Sequence, residues 1–146
     1  MNFEDIYSED CTEFDPIDIN EDDLAYLIYT SGMTPRKAGN LLYTGKIRVK
    51  DPIELHKDAV RLATFNALTA AQACLNKGEK ISLILQLNVF LNAEETFTAH
   101  AKIADYASEV LIEHLGTECI GSRAAIGVAS LPSNAPVEIT LIGKVV

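Results

Sequence analysis

The stretch GSRAAIGVASLPSNAPVEIT, from Gly121 to Thr140, decides how the chain is interpreted. Two largely apolar segments, 122–130 and 137–145, flank the turn-forming LPSNAP, so the pattern predicts two strands. The stretch contains a single arginine, Arg123, and a single glutamate, Glu138, one in each strand. Isolated charges in such strands indicate either a functional pair or plain solvent exposure, and the pattern alone leaves both readings open.

The alternation of side chains along a strand predicts which sheet face carries these two residues. Ala124, Ile126 and Val128 form the aliphatic side of the first strand, and we expect that side to pack on the core. Arg123 and Glu138 are then both expected on the sheet face away from the helices. A guanidinium is a forked donor suited to a carboxylate, and a nearby carboxylate can hold or activate water.

The separation of the two residues depends on how the strands pair. In a simple hairpin around Ser133-Asn134, Arg123 and Glu138 would stand about 20 Å apart. They can share one ligand only if the strands are not direct neighbours, or if a second subunit contributes one of them. A sheet face lined with small residues therefore favours self-association.

The rest of the chain predicts further strands and two helices. Helical spacing covers about 53–76 and 96–115, and shorter strands are expected at 24–31 and 41–49. Strict alternation predicts a long strand at 80–92, with one face formed by Ile81, Leu83, Leu85, Leu87 and Val89. This order predicts an α+β or α/β fold in which two helices pack on one face of the β-sheet.

Charge is distributed unevenly along the 146 residues, whose net charge is -9. Residues 1–23 carry 10 of the 21 acidic residues and no lysine or arginine, which leaves 11 acidic and 12 basic residues in the remainder. The composition predicts a solvated acidic arm at 1–23 and a single domain at 24–146. An acidic arm on a near-neutral body disfavours nucleic-acid binding.

No apolar run is long enough for a membrane helix, and no secretory signal is apparent at the N-terminus. The scattered Cys11, Cys74 and Cys119 show no metal-ligand spacing, so we expect reduced thiols in a cytoplasmic protein. Cys74 and Cys119 are expected to be small buried residues.

Three histidines, His56, His100 and His114, fall on predicted helices between polar or charged neighbours. We expect each to be solvated, because no convergent set of metal ligands accompanies them. No nucleotide-binding, zinc-protease or serine-hydrolase motif is present.

Three segments in order carry a resemblance to a known family: YTSGMTP at 29–35, NLLYTGKI at 40–47 and SRAAIGVASLPSNAPVEIT at 122–140. Together they resemble the RidA/YjgF reactive-intermediate deaminases over about residues 24–145. The 15-residue separation of Arg123 and Glu138 fits the family's arginine and glutamate.

The resemblance implies a chorismate-mutase-like α+β fold with a mixed β-sheet, assembled as a homotrimer whose sheets form an inner barrel, with ligand clefts between subunits. It implies that Arg123 binds the carboxylate of a small 2-imino or 2-oxo acid. Glu138 would position the water that hydrolyses the imine to ketone and ammonia. Ser31, Gly32 and Ala125 would line the same cleft. Neither a cofactor nor a metal is implied.

The chain also departs from the family pattern: Met33, Ala124, Ala125 and Ala101 stand where the family usually has an amide, a serine, a cysteine and an asparagine. The family's tyrosine before the first long strand has no counterpart at the expected spacing, and Phe14 is the nearest residue in kind. These changes leave two functions open. One is hydrolytic deamination of an imine or enamine acid, and the other is a non-catalytic trimer that binds a small carboxylate or presents an interaction surface.

Overall fold

The structure, a computed structural model, describes residues 26–146, so the predicted acidic arm and Cys11 lie outside the described part of the chain. Two short 3-10 turns occur at Ile53–His56 and Pro132–Asn134. The regular elements in chain order are β1 (Leu27–Tyr29), β2 (Arg36–Lys37), β3 (Asn40–Leu41), α1 (Lys57–Gln72), β4 (Ile81–Asn92), α2 (His100–Leu115), β5 (Ile120–Val128) and β6 (Val137–Val145).

The main sheet has the strand order β1-β6-β4-β5. β5 pairs with β4 in parallel, while β6 pairs antiparallel with both β4 and β1. The parallel pair is joined through α2, as a parallel crossover requires. Both helices contact this sheet, which confirms the predicted mixed sheet with two helices on one face. β5 and β6 are therefore not a hairpin, because β4 lies between them.

The predicted strand at 41–49 is largely absent. Only its first residue, Leu41, belongs to a strand, because it ends the short β3 that pairs with β2, and farther on Ile47 makes an isolated bridge to Ala93. Gly45 has a φ of 106°, a conformation that favours glycine and turns the chain out of an extended path.

Both helices are shorter than their periodicity predicts. The first begins as the 3-10 turn and ends at Gln72, and the second begins at His100 because 94–99 forms a turn in which the Phe97 amide donates to the Glu94 carbonyl. Neither helix in the described residues is long and apolar enough to cross a membrane.

The core lies between the helix pair and one face of the sheet. The sheet supplies fully buried Leu87, Val89, Leu91, Val137, Ile139 and Leu141. The helices pack against it with buried faces rich in alanine: Ala59, Val60, Ala63, Ala67, Leu68, Ala71, Ile103, Ala104, Ala107 and Leu111. Alanines let the helix axes approach the strands closely, while each large buried side chain contributes roughly 1.5–3 kcal/mol.

The predicted apolar face of β4 is wrong over its first half. Ile81 and Ile84 are buried, whereas Leu85 is 37% exposed. The register against β6 shifts between Ile81 and Leu83 and again between Ile84 and Gln86. Each shift inserts one residue into the alternation and so exchanges the two faces.

The predicted orientation of β5 is also wrong. Arg123, Ala125 and Gly127 pair with buried residues of β4 and therefore face α2, while Ile126 lies on the opposite face and is 45% exposed. Space explains this choice: a Cβ on Gly127 would lie 2.5 Å from Nε2 of His100 at the start of α2. The imidazole of His100 occupies the space beside Gly127, so a larger residue there would have to displace this ring.

Replacing Gly127 tests this close contact. We expect Gly127→Ala to lower the free energy of unfolding by at most about 1 kcal/mol, because the new methyl group must displace the imidazole, which is the movable end of a side chain. In the background of His100→Ala, which removes the imidazole, adding Gly127→Ala should cost much less. The free energies of unfolding of the double variant and of His100→Ala alone, both from urea unfolding, give this comparison. An additive loss in the double variant would contradict the explanation.

Candidate functional site

Arg123 lies on the edge strand β5 and projects toward α2, not toward the outer sheet face that the sequence analysis predicted. Its Nη1 donates to Oδ1 of Asp105 at 2.7 Å and to Oγ of Ser108 at 2.9 Å. The arginine side chain is 27% exposed. Ala125 lies two residues farther along the same face and is half-buried.

The rest of the guanidinium is available to a ligand. Among residues 26–146, neither Nε nor Nη2 of Arg123 has a hydrogen-bond partner. These two nitrogens form one edge of the planar group and can donate in parallel to both oxygens of a carboxylate.

Glu138 lies on β6 opposite Phe90, on the sheet face away from the helices, as the alternation predicts. The segment that contains Gly32 and Met33 lies against this part of β6, because Met33 exchanges backbone hydrogen bonds with Ile139. A Cβ on Gly32 would overlap the Glu138 carboxylate and lie 2.9 Å from its Cγ. Glycine at this position therefore leaves the room that the glutamate occupies, with exposed Ser31 beside it.

These residues form two separate groups within one chain. We call Arg123, Ala125, Asp105 and Ser108 the arginine half-site, and Ser31, Gly32 and Glu138 the glutamate half-site. They lie on opposite sheet faces. Two strand spacings across the sheet and three residues along the strands separate Arg123 from Glu138, which is about 14 Å in the plane of the sheet. One small ligand cannot touch both halves in the same subunit.

The arginine half-site adjoins an unpaired sheet edge. β5 pairs only with β4 among the described residues, so one full row of its backbone amides and carbonyls is unused by the sheet. Exposed Ile126 and Leu85 add apolar area on the outer face near this edge. Long apolar edge strands are usually protected by covering or pairing, so this edge is suited to contact with another chain.

Sequence comparison now bears on this geometry. Residues 10–144 match the family described as "YjgF/chorismate_mutase-like, putative endoribonuclease". The chain belongs to the YjgF/chorismate-mutase-like family. The match starts inside the acidic segment and extends almost to the C-terminus.

Individual relatives agree with this assignment. The Trypanosoma cruzi protein TCP17 is 29% identical over 114 residues, covering 77% of this chain and 71% of TCP17. Atu1372 of Agrobacterium tumefaciens, a solved structure of unknown function, is 32% identical with a TM-score of 0.75, covering 82% of this chain and 77% of its own. Escherichia coli TdcF, solved with bound serine, shares the fold at 23% identity and a TM-score of 0.56, covering 84% and 83%.

A cavity of about 500 Å³ lies beyond the arginine half-site in this YjgF-like chain. Its lining includes Lys46, Glu94, His100 and Gly127. His100 is half-buried and meets Phe97 edge-on, with ring centroids 5.2 Å apart, so the expectation of a solvated side chain is wrong.

His56 is buried, which also corrects the sequence-based expectation. Its Nε2 has no hydrogen-bond partner among residues 26–146 and lies 3.7 Å from Oδ2 of Asp51, beside a cavity of about 450 Å³. Burial lowers the pKa of this imidazole, and the Asp51 carboxylate offsets part of that effect.

Other expectations have mixed outcomes. His114 is exposed as predicted and lies beside Phe65, with Nδ1 2.8 Å from the Val110 carbonyl. Cys119 is buried as predicted, whereas Cys74 is exposed because it lies just past α1, facing away from the core. Within 26–146, no group of three or more metal-ligating side chains is placed to hold an ion.

The sequence analysis missed Asp105 and Ser108. Their spacing of three places them next to each other on the surface of α2, but many helical pairs share that spacing. Only the packing of α2 on β5 shows that Arg123 is their partner.

The buried His56 predicts a pH dependence of stability. Its folded-state pKa lies below that of the unfolded chain, so below about pH 6.5 the unfolded state binds more protons and the free energy of unfolding falls. We expect His56→Gln to flatten this slope between pH 7 and pH 5 in urea titrations. Leu55→Gln, at an exposed neighbour, is the control and should keep the wild-type slope; equal slopes in both variants would refute the assignment.

Proposed function

We propose that this YjgF-like protein hydrolyses small 2-imino or enamine acids to 2-oxo acids and ammonia, in clefts shared between the subunits of a homotrimer. The observation that carries the proposal is the division of the site. One half presents the unused edge of Arg123, the other presents Glu138 against Gly32, and no single chain brings them together.

Each half supplies one requirement of the reaction. The Nε and Nη2 donors of Arg123 bind the substrate carboxylate in parallel. Glu138 of the adjoining subunit accepts a proton from water as its oxygen adds to the carbon of the protonated imine. Glu138 returns that proton to the nitrogen of the resulting amino alcohol, ammonia leaves, and the hydroxyl proton passes to solvent as the ketone forms. An enamine first takes a proton on carbon to become the imine.

The demand on the enzyme is modest. Such imines hydrolyse spontaneously in water, so binding, orientation and one general base are sufficient for a useful acceleration. Neither group depends on a metal for this chemistry. The serine held by TdcF is an α-amino acid, and it agrees in class with a small ligand that carries a carboxylate.

The free edge of β5 supports assembly. In a closed ring each subunit contributes one surface and receives another, so β5 of one protomer can meet the glutamate half-site of the next. Three such contacts would give three equivalent clefts. The exposed apolar face around Ile126 is then covered by the contact.

Binding without turnover is a second candidate. Ala125 offers only a methyl group beside Arg123, and Ala124 points to the other face. The arginine half-site thus provides a carboxylate anchor with few additional groups to support chemistry. RNA cleavage, the activity in the family's description, receives less support, because residues 26–146 carry 12 basic against 11 acidic side chains and RNA recognition favours a basic surface.

The activity test uses 2-iminobutyrate or 2-iminopropionate generated in situ, with release of the 2-oxo acid as the readout. We expect wild type to accelerate release and Arg123→Ala to raise KM by roughly tenfold to a hundredfold, since charged hydrogen bonds are lost. Glu138→Gln should lower kcat at least about tenfold with little change in KM. Arg123→Ala should cost less than about 1 kcal/mol of stability because its ion pair is partly exposed.

A wild-type rate equal to the uncatalysed rate would exclude the deaminase. Calorimetric binding of a 2-oxo acid by the same preparation, lost in Arg123→Ala, would then favour the binding module.

Assembly is tested by a charge on the β5 face. We expect light scattering to give a trimer for wild type and a smaller species for Ile126→Lys, because the lysine would be buried against the next subunit. Ile112→Lys, at an isoleucine 39% exposed on α2, is the matched control and should remain trimeric. A monomeric wild type would remove the shared cleft.

A further inference from the structure

Arg123 is anchored at one nitrogen only. Nη1 donates to both the Asp105 carboxylate at 2.7 Å and the Ser108 hydroxyl at 2.9 Å. Both acceptors lie on α2, the crossover helix that leads into β5. The arrangement ties the side chain of an edge strand to the neighbouring helix.

The anchored and open edges of the guanidinium are different. Nη1 points to the helix, whereas Nε and Nη2 form the edge without a partner among residues 26–146. A ligand carboxylate arriving at that edge adds two hydrogen bonds without displacing Asp105. The helix carboxylate and the ligand therefore use separate donors of the same cation.

The anchor also depends on the close packing of α2 on β5. Ala125 and Gly127 are the small residues that face the helix from this strand. With the helix held this near, the short side chains of Asp105 and Ser108 reach the guanidinium directly. The other ion pairs of α2 in the described residues are made by Glu109 and Glu113 with Lys57 and Arg61, and they join the two helices without involving β5.

We infer that Asp105 and Ser108 are positioning residues that fix the Arg123 guanidinium for carboxylate binding, an inference that rests on the proposed function. A flexible arginine must lose side-chain freedom when it binds a ligand, and an arginine already held by its helix loses less. The two residues lower the cost of binding without touching the substrate. Their effect belongs in KM and ligand affinity, not in kcat.

The test compares Asp105→Ala, Ser108→Ala and Asp105→Asn with the control Glu109→Ala, which also removes an α2 carboxylate from an ion pair. The measurements are kcat and KM for imine hydrolysis and the Kd of 2-oxobutanoate by calorimetry. We expect Asp105→Ala to raise KM and Kd about threefold to tenfold, with kcat within about twofold of wild type. Asp105→Asn, which keeps an acceptor oxygen, should recover most of the affinity, and Glu109→Ala should match wild type.

A second measurement is independent of turnover. Nitrogen NMR of the Arg123 side chain, assigned with Arg123→Lys, should show slowed rotation of the guanidinium in wild type and fast rotation in Asp105→Ala. Fast rotation in wild type would overturn the inference, as would an unchanged or lower KM and Kd in Asp105→Ala. If the proposed function itself is wrong, the result differs: wild type and Arg123→Ala then show the same rate and the same binding, and Asp105 has no role in ligand binding.

Discussion

The position of β4 between β5 and β6 is the constraint on which the rest of the structure depends. The parallel pairing of β4 with β5 needs a crossover, and α2 provides it on the same side as α1. This topology places β5 at the edge of the sheet and separates Arg123 from Glu138 by a whole strand. Because the two side chains also leave opposite faces, chemistry that needs both must be completed by another chain.

The same topology explains the unusual side-chain pattern of β5. The helix face of the strand takes small residues and one arginine because α2 packs directly on it, and the isoleucine is left on the outside. In a monomer this would be an unfavourable exposure of apolar surface at a free strand edge. In a ring of subunits the same pattern supplies both the contact surface and the arginine that lies beside it.

Much of the architecture could be predicted from the sequence, because helical and alternating periodicities are strong over α1, α2 and β4. Faces were harder. The outward position of Glu138 followed from its neighbours Val137 and Ile139, which are fully buried. Arg123 was assigned to the wrong face because the aliphatic side of β5 was equated with the core, whereas Ile126 lies on the exposed outer face. The two register shifts in β4 leave no local signal in its run of leucines and isoleucines.

The roles of Asp105, Ser108 and His56 lay beyond sequence reasoning for a different reason. Each role depends on a long-range contact or on burial, and neither of these leaves a periodic pattern in the local sequence. The RidA/YjgF resemblance gave the family, and it suggested Arg123 and Glu138 as site residues. It could not give the group that holds the arginine, since that group is set by the packing of this particular helix on this particular strand.

The central claim, that the two half-sites meet across a subunit contact, is tested most directly by mixing two impaired variants. Arg123→Ala and Glu138→Gln subunits, dissociated together and reassembled in equal amounts, should regain about a quarter of the wild-type rate of 2-oxo acid release. That fraction follows from random pairing, in which one contact in four brings an intact arginine against an intact glutamate. A mixture no more active than the sum of its two parents would contradict the account, because a site contained within one chain cannot be restored by its neighbour.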